Sequence, residues 1–324
     1  MLVKKREFYR VQNTVVIFAF KRVDTIISLL LALSEFHFSK IILVCDGPVE
    51  NDEISAQKCA AVREALSSHP WGCEVESRFS NINLGCKNSF VSNLNEIFAV
   101  EKAAIVLEDD TIPNEEFFRH CDYCLARYEE NLDIGIVLGS NLIDEGGGLP
   151  GYAYSKIMSP WGWASWARVW QQFDPEVPLK TVLGNSEKYC VGSSAGIVEK
   201  IYWRELFTHA VKSQTTWALL LQRHLFDREL LAVYPHSNLI KNIGFNSEST
   251  HTKGKVPKYV SDSEPTEQVV SQKLAKANFP VLTDPVRDKL LISTVWHFDL
   301  YHVIRLFLGN LYRYKIKNIY IPRG

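Results

Sequence analysis

No segment of this 324-residue chain is apolar over the roughly eighteen or more residues that a membrane crossing needs, which argues against a membrane-embedded bundle. Charge of one sign is also lacking: the formal net charge is -1, so no global field draws the chain to nucleic acid. A polyanion would have to meet a local cluster. Two exist: Lys4, Lys5, Arg6 and Arg10, and Arg305, Arg313, Lys315, Lys317 and Arg323 in a run from Tyr301 to Gly324 without an acidic residue. The seven cysteines, odd in number and scattered from Cys45 to Cys190, lack the framework of a secreted disulfide scaffold, and paired CxxC metal knuckles are missing. Cys121 and Cys124 fall in a helical pattern, which predicts buried free thiols. The first residues are charged and the apolar run after them is too short for a signal peptide, so the expected location is reducing and cytoplasmic. No internal repeat or low-complexity tract is present.

What the chain does have is 46% apolar and 23% charged residues, enough for a substantial core. The β-branched run Thr14 to Phe20 predicts a strand and Ile26 to Leu33 a helix; Lys40 to Cys45 is a second strand ending at Asp46-Gly47-Pro48. Helix about 52–67, strand 74–79, helix 87–98 and strand 103–107 follow, the last apolar on both faces as buried parallel strands are. This alternation predicts an α/β, Rossmann-like, mostly parallel sheet flanked by helices. Ligands of such sheets bind beyond the carboxyl ends of the strands, here Phe20-Lys21-Arg22, Cys45-Asp46-Gly47 and Glu108-Asp109-Asp110. A further helix over 115–128 and a strand over 134–138 are expected, then a glycine-rich loop around 146–151. The predicted organisation is a catalytic domain over 1–260, with a nucleotide-binding half at 1–110 and an acceptor half at 111–260. Residues 261–324 form a linker and an amphipathic helical extension.

Three consecutive carboxylates at the end of an apolar strand repel one another, a cost that makes sense if a hard cation bridges them to a second anion. A nucleotide-diphosphate sugar is such an anion, and Mg²⁺ or Mn²⁺ would neutralise charge growing on the departing diphosphate. Asp110 is the leading ligand. The bland alternative, helix capping, is weakened because Glu115 and Glu116 already give the following helix an acidic first turn.

Ile105 to Pro113 followed by Phe117-Phe118 resembles the donor-site motif of GT-A-fold glycosyltransferases. It resembles in particular the N-acetylglucosaminyltransferase I group and, more nearly, a bacterial group of nucleotide-diphospho-sugar transferases associated with surface polysaccharides. Asn83-Leu84-Gly85-Cys86-Lys87, Trp161-Gly162-Trp163-Ala164-Ser165-Trp166 and Asn242-Ile243-Gly244-Phe245 leading to Thr250-His251-Thr252 match its other motifs in order. The resemblance implies a hexosyl- or N-acetylhexosaminyltransferase, inverting, taking a UDP-linked sugar with Mn²⁺ or Mg²⁺ to a glycan or lipid-linked glycan acceptor. It implies that Phe20, Arg22, Glu108 and Asp109 line the donor site. Asp46 would face the base, or else serve as a turn aspartate. Lys87 would approach phosphate. Trp161 and Gly162 would line the sugar pocket, while Trp163, Trp166 and Trp170 share the spacing of one helix face and are expected in the core. His251 would be a second metal or phosphate ligand.

Relatives often carry the catalytic base in a Trp-Asp-x-x-Trp-like segment; here Ser213-Gln214-Thr215-Thr216-Trp217 has no proton acceptor at neutral pH. Glu248, then Asp144 or Glu145, are the candidates elsewhere. A retaining mechanism, or an inactive carbohydrate-binding or scaffold protein on the same fold, are the alternatives. A sugar-1-phosphate nucleotidyltransferase would want a glycine-rich loop after the first strand, and Phe18 to Arg22 has no glycine. From Leu290 to Tyr314 apolar residues follow helical spacing, which fits either packing on the catalytic domain or a peripheral helix on the anionic inner membrane face.

Overall fold

The computed structural model describes residues 9–143, 153–191, 196–245, 281, 283–296, 298 and 300–311. Strands β1 (Arg10–Val11) and β2 (Thr14–Ala19) open an alternation that continues through α1 (Val23–Leu33), β3 (His37–Phe38), β4 (Lys40–Cys45), α2 (Glu53–Ser68), β5 (Glu74–Phe79), α3 (Cys86–Val100) and β6 (Ala103–Glu108). Strands β2, β4 and β6 are buried almost end to end, as their unbroken Val, Ile and Leu runs require. Helix α1 buries Ile26, Leu29, Leu30 and Leu33, the stripe that a 3.6-residue period puts on one face. Helix α2 begins where the Asp52 carboxylate accepts the Ser55 N–H at 2.9 Å.

The second half adds β7 (Thr111–Pro113), α4 (Glu115–Arg127), β8 (Ile134–Leu138), β9 (Ala153–Ser155), β10 (Trp163–Trp166), α5 (Ala167–Trp170), α6 (Leu179–Gly184), α7 (Ile197–Ser213), α8 (Ala218–Asp227), β11 (Leu231–Tyr234) and β12 (Ile240–Asn242). Among the described residues the main sheet has eight strands in the order β5-β4-β2-β6-β10-β8-β11-β9. Strands β5, β4, β2 and β6 run parallel, β10 is antiparallel to β6 and β8, β11 is parallel to β8, and β9 is antiparallel to β11. Only β10 and β9 therefore oppose the common direction. The architecture is α/β with a large mixed sheet, consistent with a Rossmann-like fold, the expected parallel run being β5, β4, β2 and β6 and the two opposing strands lying in the second half.

One expected element differs. Trp163 and Trp166 belong to strand β10, and only Trp170 lies in the short helix that follows. Both neighbours, β6 and β8, offer a ladder to this segment, and a central strand needs apolar side chains on both faces. Trp163 lies against Trp217, with ring centroids 5.6 Å apart, while Trp166 Nε1 donates to the Leu125 carbonyl at 3.1 Å. All three tryptophans are buried, so their core role holds. Cys121 and Cys124 are buried free thiols on α4, and burial raises the Cys121 pKa.

Among the described residues the C-terminal extension contributes two helices, α9 (Pro285–Thr294) and α10 (Leu300–Leu311), rather than one continuous period. Asp284 caps α9 by accepting from Val286 N at 2.9 Å, and Pro285 fills the first position, where no N–H is needed. Helix α9 is tied to the body by polar contacts: Asp288 to the Ser155 hydroxyl, and Arg287 Nη2 to Asn141 Oδ1 at 2.7 Å with its guanidinium 4.9 Å from the Tyr234 ring centroid. Trp296 packs edge-on against Trp203 at 5.1 Å and accepts from the Tyr202 hydroxyl, and α10 lies on α7. Packing on the body is thus satisfied by one face of the extension. Among the described residues no helix is long and apolar enough to cross a membrane.

Candidate functional site

The acidic triplet stands at the carboxyl end of β6, beside the end of β2, where the ladder pairs Phe18 with Glu108 and continues as Asp109 N–H to the Phe18 carbonyl at 2.9 Å. Thr111 closes the turn, its hydroxyl donating to the Glu108 carbonyl at 2.8 Å and accepting the Glu108 N–H at 2.9 Å. Strand β7 then pairs antiparallel with β12, so that Asn242 faces Thr111 and Ile243 N–H reaches the Asp110 carbonyl at 2.8 Å. This two-stranded ribbon carries Gly244 over the Asp110 carboxylate.

Arg22, the residue that starts α1 after β2, forks its guanidinium between two carboxylates: Nη2 to Asp109 and Nη1 to Asp110 Oδ2 at 2.6 Å. Burial is the largest influence on Glu108, Asp109 and Arg22. It lifts Asp109 to about 6, with Asp110 adding to the rise and Arg22 opposing it. It lifts Glu108 well above the ordinary glutamate range, again reinforced by Asp110. It works against the Arg22 charge, but Asp109 and Asp110 together outweigh it and hold the guanidinium more firmly protonated. Glu108 Oε1 is buried without a hydrogen-bond partner. Three carboxyl groups thus face one guanidinium, and the surplus is negative.

At the end of β4, Asp46 is buried and its carboxylate organises the neighbouring loop. Oδ1 accepts from Gly47 N at 2.8 Å and Leu84 N at 2.9 Å; Oδ2 accepts from Gly85 N at 2.9 Å and Asn83 Nδ2 at 3.4 Å. Those four donors fill its lone-pair sites, so the turn reading of Asp46 is the one its hydrogen bonds support. Gly47 is required there, since a Cβ would lie 2.2 Å from the Ile82 carbonyl oxygen, which is backbone. Phe20 sits beside this loop, its carbonyl 3.6 Å from the Cys45 thiol and its ring 5.2 Å from the Lys21 ammonium.

Lys87, in the first turn of α3, is buried with its ammonium on Glu176 and on Gln214 Oε1. Among the described residues no hydrogen bond joins it to the triplet. Gln214 caps α7 in the left-handed conformation, φ 54°, and Glu176 comes from the loop before α6. A stack ties this corner to the strand end: Phe18 on Phe90 at 3.8 Å and Phe90 on Trp217 at 4.6 Å. Trp161 is buried edge-on against Phe245 at 5.7 Å, and the Gly162 carbonyl accepts from Gly139 N at 2.8 Å. Glu248, Asp144, Glu145 and His251 lie outside the described residues. The structure therefore brings Arg22, Glu108, Asp109 and Asp110 together. It adds Glu176, which no local pattern singles out because only its partner Lys87, remote in sequence, defines it, and it gives Thr111 and Gly244, in the sequence only members of their motifs, a turn-closing and a covering place. Among the described residues no group of three or more His, Cys, Asp or Glu side chains has the arrangement of a self-sufficient metal site.

No family model matches the chain, and no curated protein does. Among solved structures it is similar to the crystal structure of HddC from Yersinia pseudotuberculosis, at 14% identity and a TM-score of 0.27. The similarity covers 44% of this chain and 60% of that one, so the chain spans about three fifths of HddC. A likeness at this level assigns neither fold family nor activity.

Proposed function

We propose that this chain is a metal-dependent glycosyltransferase of the GT-A type. It moves a hexosyl or N-acetylhexosaminyl group from a nucleotide-diphosphate sugar, UDP-linked, to a glycan or lipid-linked glycan acceptor of bacterial surface polysaccharide. The observation that carries the reading is the strand end itself, where three carboxyl groups face the single guanidinium of Arg22 beneath Gly244. A diphosphate cannot approach that surplus of negative charge without a cation between them. The residues present fit one: the donors are all carboxylate oxygens, Glu108 Oε1 is buried without a partner, and Mn²⁺ or Mg²⁺ commonly takes one or two carboxylates and completes its set with phosphate oxygens and water. Asp110 would hold it, with His251 the further ligand. Bound there, the cation would neutralise charge on the departing nucleotide diphosphate.

The residues of the chain supply the rest. Arg22 fixes Asp109 and Asp110 at set positions, and the 83–85 turn, clasped by Asp46, presents the start of α3 for the phosphates or base. In an inverting transfer the acceptor oxygen bonds to the anomeric carbon. The bond from that carbon to phosphate oxygen breaks, its electron pair leaving on the diphosphate, and the acceptor proton passes to a carboxylate. Beside the sequence candidates Glu248, Asp144 and Glu145, Glu176 is supported among the described residues. It shares the Lys87 ammonium with Gln214, the position where a base is expected, and its side chain is 70% exposed.

Turnover of a panel of nucleotide sugars with Mn²⁺ tests the proposal: release of nucleotide diphosphate from at least one donor, lost on chelation, is expected. No release from any donor, with nucleotide binding intact, would favour the second reading, a carbohydrate-binding protein, which the neutral Gln214 supports.

A further inference from the structure

Helix α10 is apolar on two sides, unlike an ordinary surface helix. Val303 and Leu306 are buried against the body, yet the side facing away carries Tyr301, Ile304, Phe307 and Leu308, 66%, 50%, 44% and 44% exposed. At about 100° per residue those four fall within an arc of roughly 120°. Arg305 borders that arc on the side of Tyr301 and Leu308, and no acidic residue occurs from Tyr301 onward. Beyond the helix, Arg313, Lys315, Lys317 and Arg323 alternate with Tyr312, Tyr314, Ile316, Ile319, Tyr320 and Ile321. A contiguous exposed apolar face is uncommon on a soluble protein unless something covers it.

We infer that this face of α10 docks on an anionic lipid surface, with its apolar side chains at the level of the headgroups and acyl boundary and Arg305 at its border toward the lipid phosphates. Charge decides between occupants. From Tyr301 onward the sequence carries five Arg or Lys residues and no acidic one, so a second copy would meet like charge, whereas an anionic bilayer attracts it. Tyrosine and basic residues bordering an apolar stripe are the composition that settles at a membrane interface. The inference rests on α10 and its charges, not on the transferase reading, and its test does not use activity.

The test is co-sedimentation of the full chain with vesicles of phosphatidylcholine alone and of phosphatidylcholine with roughly one part in three phosphatidylglycerol. Binding to the anionic vesicles, weakened at high salt and at least about tenfold stronger than to the neutral ones, is expected. The Ile304→Glu, Phe307→Glu variant should lose at least about tenfold of that affinity while its circular dichroism and thermal transition match the wild type, because both side chains already face solvent. Replacing Arg313, Lys315, Lys317 and Arg323 with glutamine is the second variant and should also weaken binding by at least about tenfold. Equal sedimentation with both vesicle types, no sedimentation of the wild type, or unchanged binding of either variant would overturn the inference. So would a dimer in solution that the double glutamate variant dissolves.

Discussion

A Cβ on Gly244 would lie 2.1 Å from Asp110 Oδ2, so the β7–β12 ribbon and the acidic strand end are in contact with no room to spare. The same Cβ would come 3.1 Å from Arg22 Nη1, which holds Asp110 from the other side. Gly244→Ala must therefore displace the Asp110 carboxylate. Misplacing a positioning group by about 1 Å costs on the order of a hundredfold in rate. A turnover loss of that order is expected in steady-state assays, with the fold retained by circular dichroism.

Arg22→Ala leaves Asp109 buried next to Asp110 and Glu108 with no counter-charge. Removing one partner from a buried ion pair costs on the order of 3–5 kcal/mol. A matching fall in the thermal transition is expected, larger at pH 8 than at pH 5 because protonation of Asp109, already near pH 6, relieves the repulsion at the lower pH. The Arg22→Ala, Asp109→Asn double variant should recover part of the loss.

Glu176→Gln separates the proton acceptor from the donor site. If Glu176 takes the acceptor proton, turnover falls by about 10²–10⁴, the range for a lost general base, while donor affinity stays within about twofold by titration calorimetry. Unchanged turnover would return the role to Glu248, Asp144 or Glu145.

Burial of Asp288 raises its pKa to about 7, only partly offset by the Ser155 hydroxyl and by Lys156. Because the folded state holds this proton more tightly than the unfolded one, the contribution of the group to stability is full below the ordinary aspartate range. It declines as pH rises through about 7, with a slope of up to about 1.4 kcal/mol per pH unit. Denaturant titrations between pH 5 and 8 should show the decline, and Asp288→Asn should flatten it while keeping the contact with Ser155.

The parallel half of the sheet was legible because its strands announce themselves locally: Lys40 to Cys45 and Glu74 to Phe79 have the boundaries their composition predicts. The place of the acidic triplet was equally plain, since the apolar run Ala103 to Leu107 reads as a buried strand and stops at it. What escaped was defined by distant partners. The two tryptophans of β10 mimic a helix period, and only the vacant edges of β6 and β8 make them a strand. Strands β7 and β12, three residues each, exist because they pair with one another. Asp46 satisfies its carboxylate on residues 83–85, remote in sequence, so its turn role could not be separated from a ligand role beforehand. Glu176 carries no motif, and Lys87 alone brings it to Gln214.

The most direct test of the transferase reading is calorimetric titration of UDP into the wild type and into Asp110→Asn, with and without Mn²⁺. Binding that requires Mn²⁺ and is lost in the variant is expected. Binding of equal strength without the cation, or unchanged in Asp110→Asn, would contradict the assignment of the acidic strand end to a metal-bridged diphosphate.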